Sequence, residues 1–112
     1  MTGDPARAGE RPDIRACFFG DSFVAGVGDS SGLGWVGRVT AAARAAGHRL
    51  TSYNLGVRGQ ASTQVASRIA VEAPARWAEA DDSRLVVSFG VNDTTRVAGL
   101  PRASSEEGLQ AI

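Results

Sequence analysis

The sequence predicts an α/β fold of the flavodoxin-like type, with a parallel sheet between two helical layers in a three-layer α/β/α arrangement. Three short apolar runs predict strands, and each run is followed at once by a glycine. Stretches with helical spacing separate the runs, so the order is β-α-β-α-β, which is typical of a parallel sheet with helices on both faces. Right-handed crossovers then favour a sheet in which the first strand lies between the second and the third.

The first strand is predicted at Ile14–Phe19 and ends at Gly20. Its cysteine, Cys17, is predicted to be a small buried hydrophobe rather than a reactive thiol. Residues 1–13 are polar and contain two prolines, which predicts a flexible lead-in to a single domain over residues 14–112.

A loop rich in Gly, Ser and Asp over residues 20–34 precedes the first long helix, which is predicted at Trp35–Ala46. Gly47 follows in the position of a C-terminal cap. The apolar residues of this helix recur at helical spacing and form one stripe, made of Trp35, Val36, Val39, Ala42, Ala43 and Ala46.

The second strand is predicted at Leu50–Leu55 and the third at Leu85–Phe89. The near-continuous apolar character of the third strand predicts burial on both faces, as parallel strands require. In the helix between these strands, Ser62 or Thr63 is predicted to be the N-terminal cap, and Pro74 to end or kink the helix. Its inner face is predicted to carry Val65, Ile69 and Ala73, with Trp77 packed beneath.

The C-terminal residues predict an unfinished element. Ser104 and Glu107 fit a capping box at the start of a helix, but the sequence stops about two turns later. We therefore expect a sheet that is truncated after its third strand. That strand would then be an exposed apolar edge, which is a template for pairing with another chain, so self-association through it is expected.

Composition excludes several classes of function. The formal net charge is zero, with 12 basic residues, all of them arginine, and 12 acidic residues, so the chain has no electrostatic footprint for nucleic acid or an anionic membrane. One cysteine and one histidine are too few for the usual metal sites. The sequence has no apolar leader and no stretch long enough to span a membrane, so a cytoplasmic protein is expected.

Three segments that follow the predicted strands carry the candidate site residues Ser22, Gly59 and Asn92. Because the carboxyl ends of parallel strands lie at one edge of a sheet, these residues are expected to meet there. A serine hydroxyl, a backbone N–H and a side-chain amide are the parts of a nucleophile with an oxyanion hole. Taken singly, each has a simpler interpretation: a turn or cap serine, a glycine required for positive φ, and an asparagine that closes its own turn.

The three segments resemble the sequence blocks of the SGNH (GDSL-type) esterase and lipase family. Gly20-Asp21-Ser22-Phe23-Val24-Ala25-Gly26 resembles the first block, Gly59 in the turn over residues 54–60 resembles the glycine of the second, and Gly90-Val91-Asn92-Asp93 matches the third. The blocks stand in the family order and cover roughly residues 14–100, and three ordered blocks are far more specific than a lone Gly-Asp-Ser.

The resemblance implies roles for these residues. Ser22 would be the nucleophile, and the N–H of Ser22, the N–H of Gly59 and the side chain of Asn92 would form the oxyanion hole. Asp21 would support the loop through hydrogen bonds. The implied substrates are small-molecule esters or thioesters, including lipid and carbohydrate acyl groups, and no metal or organic cofactor is implied.

The sequence departs from the family pattern because it lacks the block that supplies the general base. It has no DxxH block, and the single histidine, His48, precedes the second strand, whereas Ser22 follows the first. These positions are at opposite ends of a parallel sheet, on the order of 20 Å apart, and a base must lie within about 3 Å of the proton that it removes. The chain alone is therefore expected to be nearly inactive.

Two alternatives remain open at this point. A non-catalytic acyl-binding or interaction module of the same fold would keep the pocket and need no base. A nucleotide-binding βαβ unit is suggested by Gly26-Val27-Gly28, but that motif is incomplete and lies well beyond the first strand.

Overall fold

The computed structural model describes residues 10–112, and its central element is a three-stranded parallel sheet. The strands are β1 (Asp13–Gly20), β2 (Arg49–Gly56) and β3 (Asp82–Ser88), in the order β2-β1-β3. The predicted fold class and the central position of the first strand are therefore confirmed. The strand β1 starts within the predicted lead-in, and residues 1–9 of that lead-in lie outside the described residues.

Helices flank the sheet, and a small hairpin follows the third strand. The remaining elements are α1 (Ser22–Ala25), α2 (Gly34–Ala45), α3 (Ser62–Trp77), a 3-10 helix (Val91–Thr94), the antiparallel pair β4 (Arg96–Val97) and β5 (Leu100–Pro101), and α4 (Ser105–Gln110). None of the helices in the described part of the chain is both long enough and apolar enough to cross a bilayer.

The strand register places all three carboxyl ends at one level. In β1, Gly20 is paired with Gly56 of β2 on one side and with Ser88 of β3 on the other. At the opposite end, Asp13 is paired with Arg49. The loops that leave the three strands therefore start side by side.

One face of the sheet packs against α3. Its core contains the fully buried residues Cys17, Phe19, Val65 and Ala73, with Ile69 and Trp77 partly buried against them. This confirms the predicted inner face of α3. Burial raises the pKa of the Cys17 thiol, with a smaller opposing effect from Arg76, so the cysteine behaves as a hydrophobe.

The other face packs against α1 and α2 through a smaller core of Ala16, Phe18, Val24 and Val36. Of the predicted stripe on α2, only Val36 is buried, whereas Trp35 is 38% exposed and Val39 is 46% exposed. They border an open groove of about 450 Å³ that also contains Val86 of β3. The predicted burial of β3 on both faces is therefore wrong, because no residue of β3 is fully buried and Val86 borders the open groove.

The helix α3 differs from its prediction at both ends. Ala61, not Ser62 or Thr63, is the N-terminal cap, and its N–H donates to the side chain of Gln64. The hydroxyl of Ser62 is directed elsewhere and donates to the carbonyl of Ser104. Pro74, which was predicted to end or kink the helix, does not end it, because the helix continues to Trp77.

The loop between α1 and α2 is ordered by Asp29. Its carboxylate accepts hydrogen bonds from the N–H and hydroxyl of Ser31, from the N–H of Gly34 and from Arg38. The bonds from Ser31 make the largest contribution and lower the pKa of Asp29 far below its usual range.

Candidate active site

Ser22 lies where β1 turns into α1. The strand ends at Gly20, and the buried side chain of Asp21 caps the helix by accepting a hydrogen bond of 3.0 Å from the N–H of Phe23. Ser22 is the first helical residue, so Asp21 rather than Ser22 is the cap, and Ser22 is half-buried. This supporting bond is of the kind expected for Asp21.

Two glycines make the close approach of the strand ends possible. A Cβ atom on Gly20 would collide with the carbonyl oxygen of Ser88 and the side chain of Val24. A Cβ atom on Gly56 would lie 2.8 Å from the carbonyl oxygen of Asp21 and would also collide with Ala25. The ends of β2 and β3 therefore pack directly against the turn that carries Ser22.

Hydrogen bonds fix the loop after β2 to this turn. The side-chain amide of Asn54 donates to the carbonyl of Val24 over 2.8 Å, and its oxygen accepts from the N–H of Gly56 over 3.0 Å. The N–H of Val57 donates to the carbonyl of Gly20 over 3.0 Å. The second block is thus held beside the first.

Gly59 occupies a turn closed by a bond from the N–H of Gln60 to the carbonyl of Val57. Its φ is +79°, and a Cβ atom would meet nothing within 4 Å, so the turn requires glycine for its backbone angle rather than for space. Its carbonyl accepts a bond of 2.8 Å from Arg102. Among the hydrogen bonds within residues 10–112, none uses the N–H of Gly59 or of Ser22.

Asn92 lies in the 3-10 helix that follows β3, after Gly90 with its φ of +132°. Its side-chain amide donates a hydrogen bond of 3.0 Å to the carbonyl of Gln60, which is 32 residues away along the chain. It therefore does not close its own turn. An amide group carries two N–H donors, so one orients the side chain and the second stays available to a ligand.

These contacts bring the three candidate residues to one edge of the sheet. Asn92 is bonded to the residue next to Gly59, and the loop that carries Gly59 is bonded to the turn that carries Ser22. Two backbone N–H groups and one amide N–H on the same edge form a set of donors of the kind that can stabilise a developing oxyanion.

Among residues 10–112, the structure brings no histidine to this edge. His48 directly precedes β2 at the other end of the sheet, where it is exposed and its Nδ1 accepts a hydrogen bond of 3.3 Å from Arg11. The seven residue steps along β2 separate His48 from the site by about 23 Å. Within residues 10–112 there is likewise no cluster of His, Cys, Asp or Glu suited to a metal ion.

Arg68 and Arg102 support the loops around the candidate site, and the sequence alone assigned no role to either. Arg68 donates to the side chain of Gln60 and to the carbonyl of Leu55, and it lies over the ring of Phe19. Arg102 donates to Gly59 and Gln64. Neither arginine stands in a recognisable motif, and these four hydrogen-bond acceptors are 8 to 43 residues away.

The carboxylate of Asp93 is a further feature that sequence reasoning left without a role. The residue is 3% exposed, and it accepts hydrogen bonds from the N–H of Ser62 over 2.7 Å and from the hydroxyl of Ser105. The one signal in the sequence is its position directly after Asn92 in the third block.

Gly26 and Gly28, which suggested a nucleotide site, do not lie where a phosphate-binding turn would be. Gly26 ends α1, and Gly28 belongs to the loop that follows. A phosphate-binding glycine turn would instead stand between β1 and the start of its helix.

The fold agrees with comparisons to known proteins. The model of the GDSL-like lipase/acylhydrolase family matches residues 18–112. The chain belongs to this family. Comparison with curated protein sequences gives no significant match.

Solved structures of esterases share the fold. AlinE4, an SGNH-hydrolase family esterase, is 26% identical with a TM-score of 0.68, and the match covers 94% of this chain and 52% of AlinE4. The psychrotrophic esterase EstA from Pseudoalteromonas sp. is 21% identical with a TM-score of 0.63, over 87% of this chain and 50% of EstA. The chain thus spans about half the length of these proteins.

Proposed function

We propose that this chain carries the nucleophile and the oxyanion hole of a serine-dependent hydrolase that acts on small-molecule esters or thioesters. The observation that supports the proposal best is the bond from Asn92 to Gln60, next to Gly59, on the same edge of the sheet as Ser22. Membership of the GDSL-like lipase/acylhydrolase family gives independent support for hydrolysis of ester bonds.

The reaction would begin with attack of the Ser22 hydroxyl oxygen on the carbonyl carbon of the ester. The carbonyl oxygen becomes negatively charged in the tetrahedral intermediate, where the N–H of Ser22, the N–H of Gly59 and the second N–H of Asn92 would donate to it. Collapse of the intermediate expels the alcohol or thiol and leaves an acylated Ser22, which water then hydrolyses.

The proton of Ser22 must pass to a general base and then to the leaving group. Residues 10–112 bring no such base to Ser22, so a histidine from outside these residues would have to supply it. Loss of the histidine from a serine triad costs several orders of magnitude in rate. The 112 residues alone should therefore be nearly inactive.

A fluorophosphonate probe, which phosphonylates an activated serine with loss of fluoride, tests the proposal. The chain is combined with the remainder of the AlinE4 fold, which is the part of the AlinE4 polypeptide that the match to this chain does not cover. We expect labelling of Ser22 in this combination and no labelling of the Ser22→Ala variant. Ester binding without labelling, both for the chain alone and for the chain with the remainder of the AlinE4 fold, would contradict the proposal and favour a non-catalytic acyl-binding module.

A cytoplasmic location stays a prediction from the sequence.

A further inference from the structure

Asp93 is a buried carboxylate whose two oxygens are both engaged. Its Oδ1 accepts a hydrogen bond of 2.7 Å from the N–H of Ser62, and its Oδ2 accepts one from the hydroxyl of Ser105. An ionised group with an exposure of only 3% is costly unless it is hydrogen-bonded in this way. Burial would raise the pKa of Asp93, but the bonds from Ser105 and Ser62 outweigh it and lower the pKa, so the group is ionised at neutral pH.

The two donors belong to different elements that meet at Asp93. Ser62 is the first residue of α3, two residues after the turn that carries Gly59, and Ser105 is the first residue of α4. The hydroxyl of Ser62 also donates to the carbonyl of Ser104, and Gly108 packs so closely on Ser62 that a Cβ atom there would collide with it. One carboxylate therefore joins the 3-10 helix to the start of α3 and to α4.

Asn92 and Asp93 contact the same short stretch of chain from adjacent positions. Asn92 donates to the carbonyl of Gln60, and Asp93 accepts from the N–H of Ser62 two residues further on. Two bonds of opposite polarity fix the rotation and the distance of the 3-10 helix relative to the Gly59 turn.

We propose that Asp93 is a positioning residue, which holds the Asn92 amide in the direction required to donate to the substrate oxygen. The inference rests on the proposed function of Asn92 in the oxyanion hole. Asp93 is not itself a candidate base, because both of its oxygens already accept hydrogen bonds.

The test in the isolated chain is the side-chain amide signal of Asn92 in a two-dimensional 15N–1H NMR spectrum of residues 1–112. The Asp93→Asn variant keeps the shape but presents an NH₂ group to one of the two donors, because an amide has only one accepting atom. We expect the Asn92 side-chain signals to shift or broaden and their solvent exchange to become faster, while backbone signals of β1 and β2 stay in place.

The matched control is Asp29→Asn. Asp29 also accepts several hydrogen bonds and also has a lowered pKa, but it orders the loop between α1 and α2. This control should leave the Asn92 signals unchanged. Unchanged Asn92 signals in Asp93→Asn would overturn the proposal. If Asp93→Asn does not fold, Ser105→Ala removes one of the two bonds to Asp93, and the Asn92 side-chain signals must then shift or exchange faster with solvent for the proposal to stand.

Catalysis gives a second readout in the combination with the remainder of the AlinE4 fold. Loss of one charge-assisted bond should lower kcat by about 10- to 100-fold in Asp93→Asn, with KM nearly unchanged. In an Asn92→Ala background the same substitution should have little further effect, since Asp93 acts through Asn92. Additive losses would overturn the proposal. Absence of any hydrolysis in the wild-type combination would count against the proposed function, and the NMR measurement would still decide the role of Asp93.

Discussion

The side-chain amide of Asn54 donates a hydrogen bond of 2.8 Å to the backbone carbonyl of Val24, which joins the end of β2 to α1. The oxygen of the same amide accepts from the N–H of Gly56, so both of its polar ends are engaged. This contact holds the loop with Gly59 beside the turn with Ser22. The candidate site is thus built from long-range bonds between loops rather than from any one loop.

Ser22 and His48 should respond differently to substitution. In the combination with the remainder of the AlinE4 fold, Ser22→Ala should abolish ester hydrolysis, because it removes the attacking oxygen. His48→Ala should change kcat/KM little, because His48 lies at the opposite end of the sheet beside Arg11. Steady-state rates with a chromogenic ester check both variants. Loss of activity in a folded His48→Ala variant would contradict the assignment of this edge as the site.

Asn92→Ala should reduce kcat more than it changes KM. Its second amide N–H is expected to bind charge that develops mainly in the transition state, so kcat should fall by about 10²- to 10³-fold. The substitution also removes the bond to Gln60, so the fold of the variant should be checked by its melting temperature. An unchanged kcat in a folded variant would contradict a role of Asn92 in the oxyanion hole and leave it only the structural role of joining two loops.

The sheet and the edge of the site could be predicted from the sequence because both depend on local patterns. Apolar runs that end in glycine mark the strands, and parallel pairing places the residues after them together. The contacts that orient the site could not be predicted in this way. The bond from Asn92 to Gln60 spans 32 positions and the bond from Ser62 to Asp93 spans 31, and neither periodicity nor propensity indicates such partners.

Two wrong predictions have the same physical cause. The side chain of Ser62 is of a type that often caps helices, but its hydroxyl donates to the carbonyl of Ser104 instead. A tertiary contact therefore overrides the local preference for capping. The apolar run of β3 predicts burial on both faces, but the burial depends on what covers the strand, and the groove beside Val86 leaves one face partly open. A sequence records how apolar a strand is, whereas the neighbouring layer decides how much of it is buried.

The docking of α4 should depend on Gly108. A Cβ atom at this position would collide with the side chain of Ser62, so Gly108→Ala should destabilise the chain by about 1–3 kcal/mol despite the better helix propensity of alanine. Gly37→Ala is the matched control in α2, since its Cβ atom would meet only the half-exposed side chain of Leu33 at 3.0 Å. Urea midpoints and hydrogen exchange of residues 105–110 measure the effect. Equal midpoints for the two variants would show that α4 is not packed on Ser62.

Stability should fall in acid partly through Asp93. Its pKa in the folded chain is below the ordinary value of about 3.9, so its contribution is complete above that value and is lost as the pH falls through the lowered folded pKa. The urea midpoint of the wild-type chain should therefore be higher than that of Asp93→Asn at neutral pH, and this difference should become smaller near pH 2. A difference between the two that is the same at both pH values would contradict ionisation of Asp93 in the folded chain.

The strand β3 is the feature that should govern behaviour at high concentration. Within residues 10–112 it pairs with β1 alone, so its other edge has unpaired N–H and C=O groups. Leu85 is 38% exposed, and the residues after it through Phe89 carry no charge. Apolar uncharged edges of this kind pair with other chains, and the groove that contains Val86 adds further exposed apolar surface.

We therefore expect the 112-residue chain to be marginally stable and to self-associate through β3 as its concentration rises. Light scattering over a concentration series should show growing mass, and hydrogen exchange should show protection of residues 85–89 that increases with concentration. Leu85→Lys places a charge on the edge and should reduce association. Val71→Lys is the control, because Val71 is 80% exposed on α3 and away from the edge, and it should leave association unchanged. A monomer with a cooperative melt at every concentration would contradict the prediction.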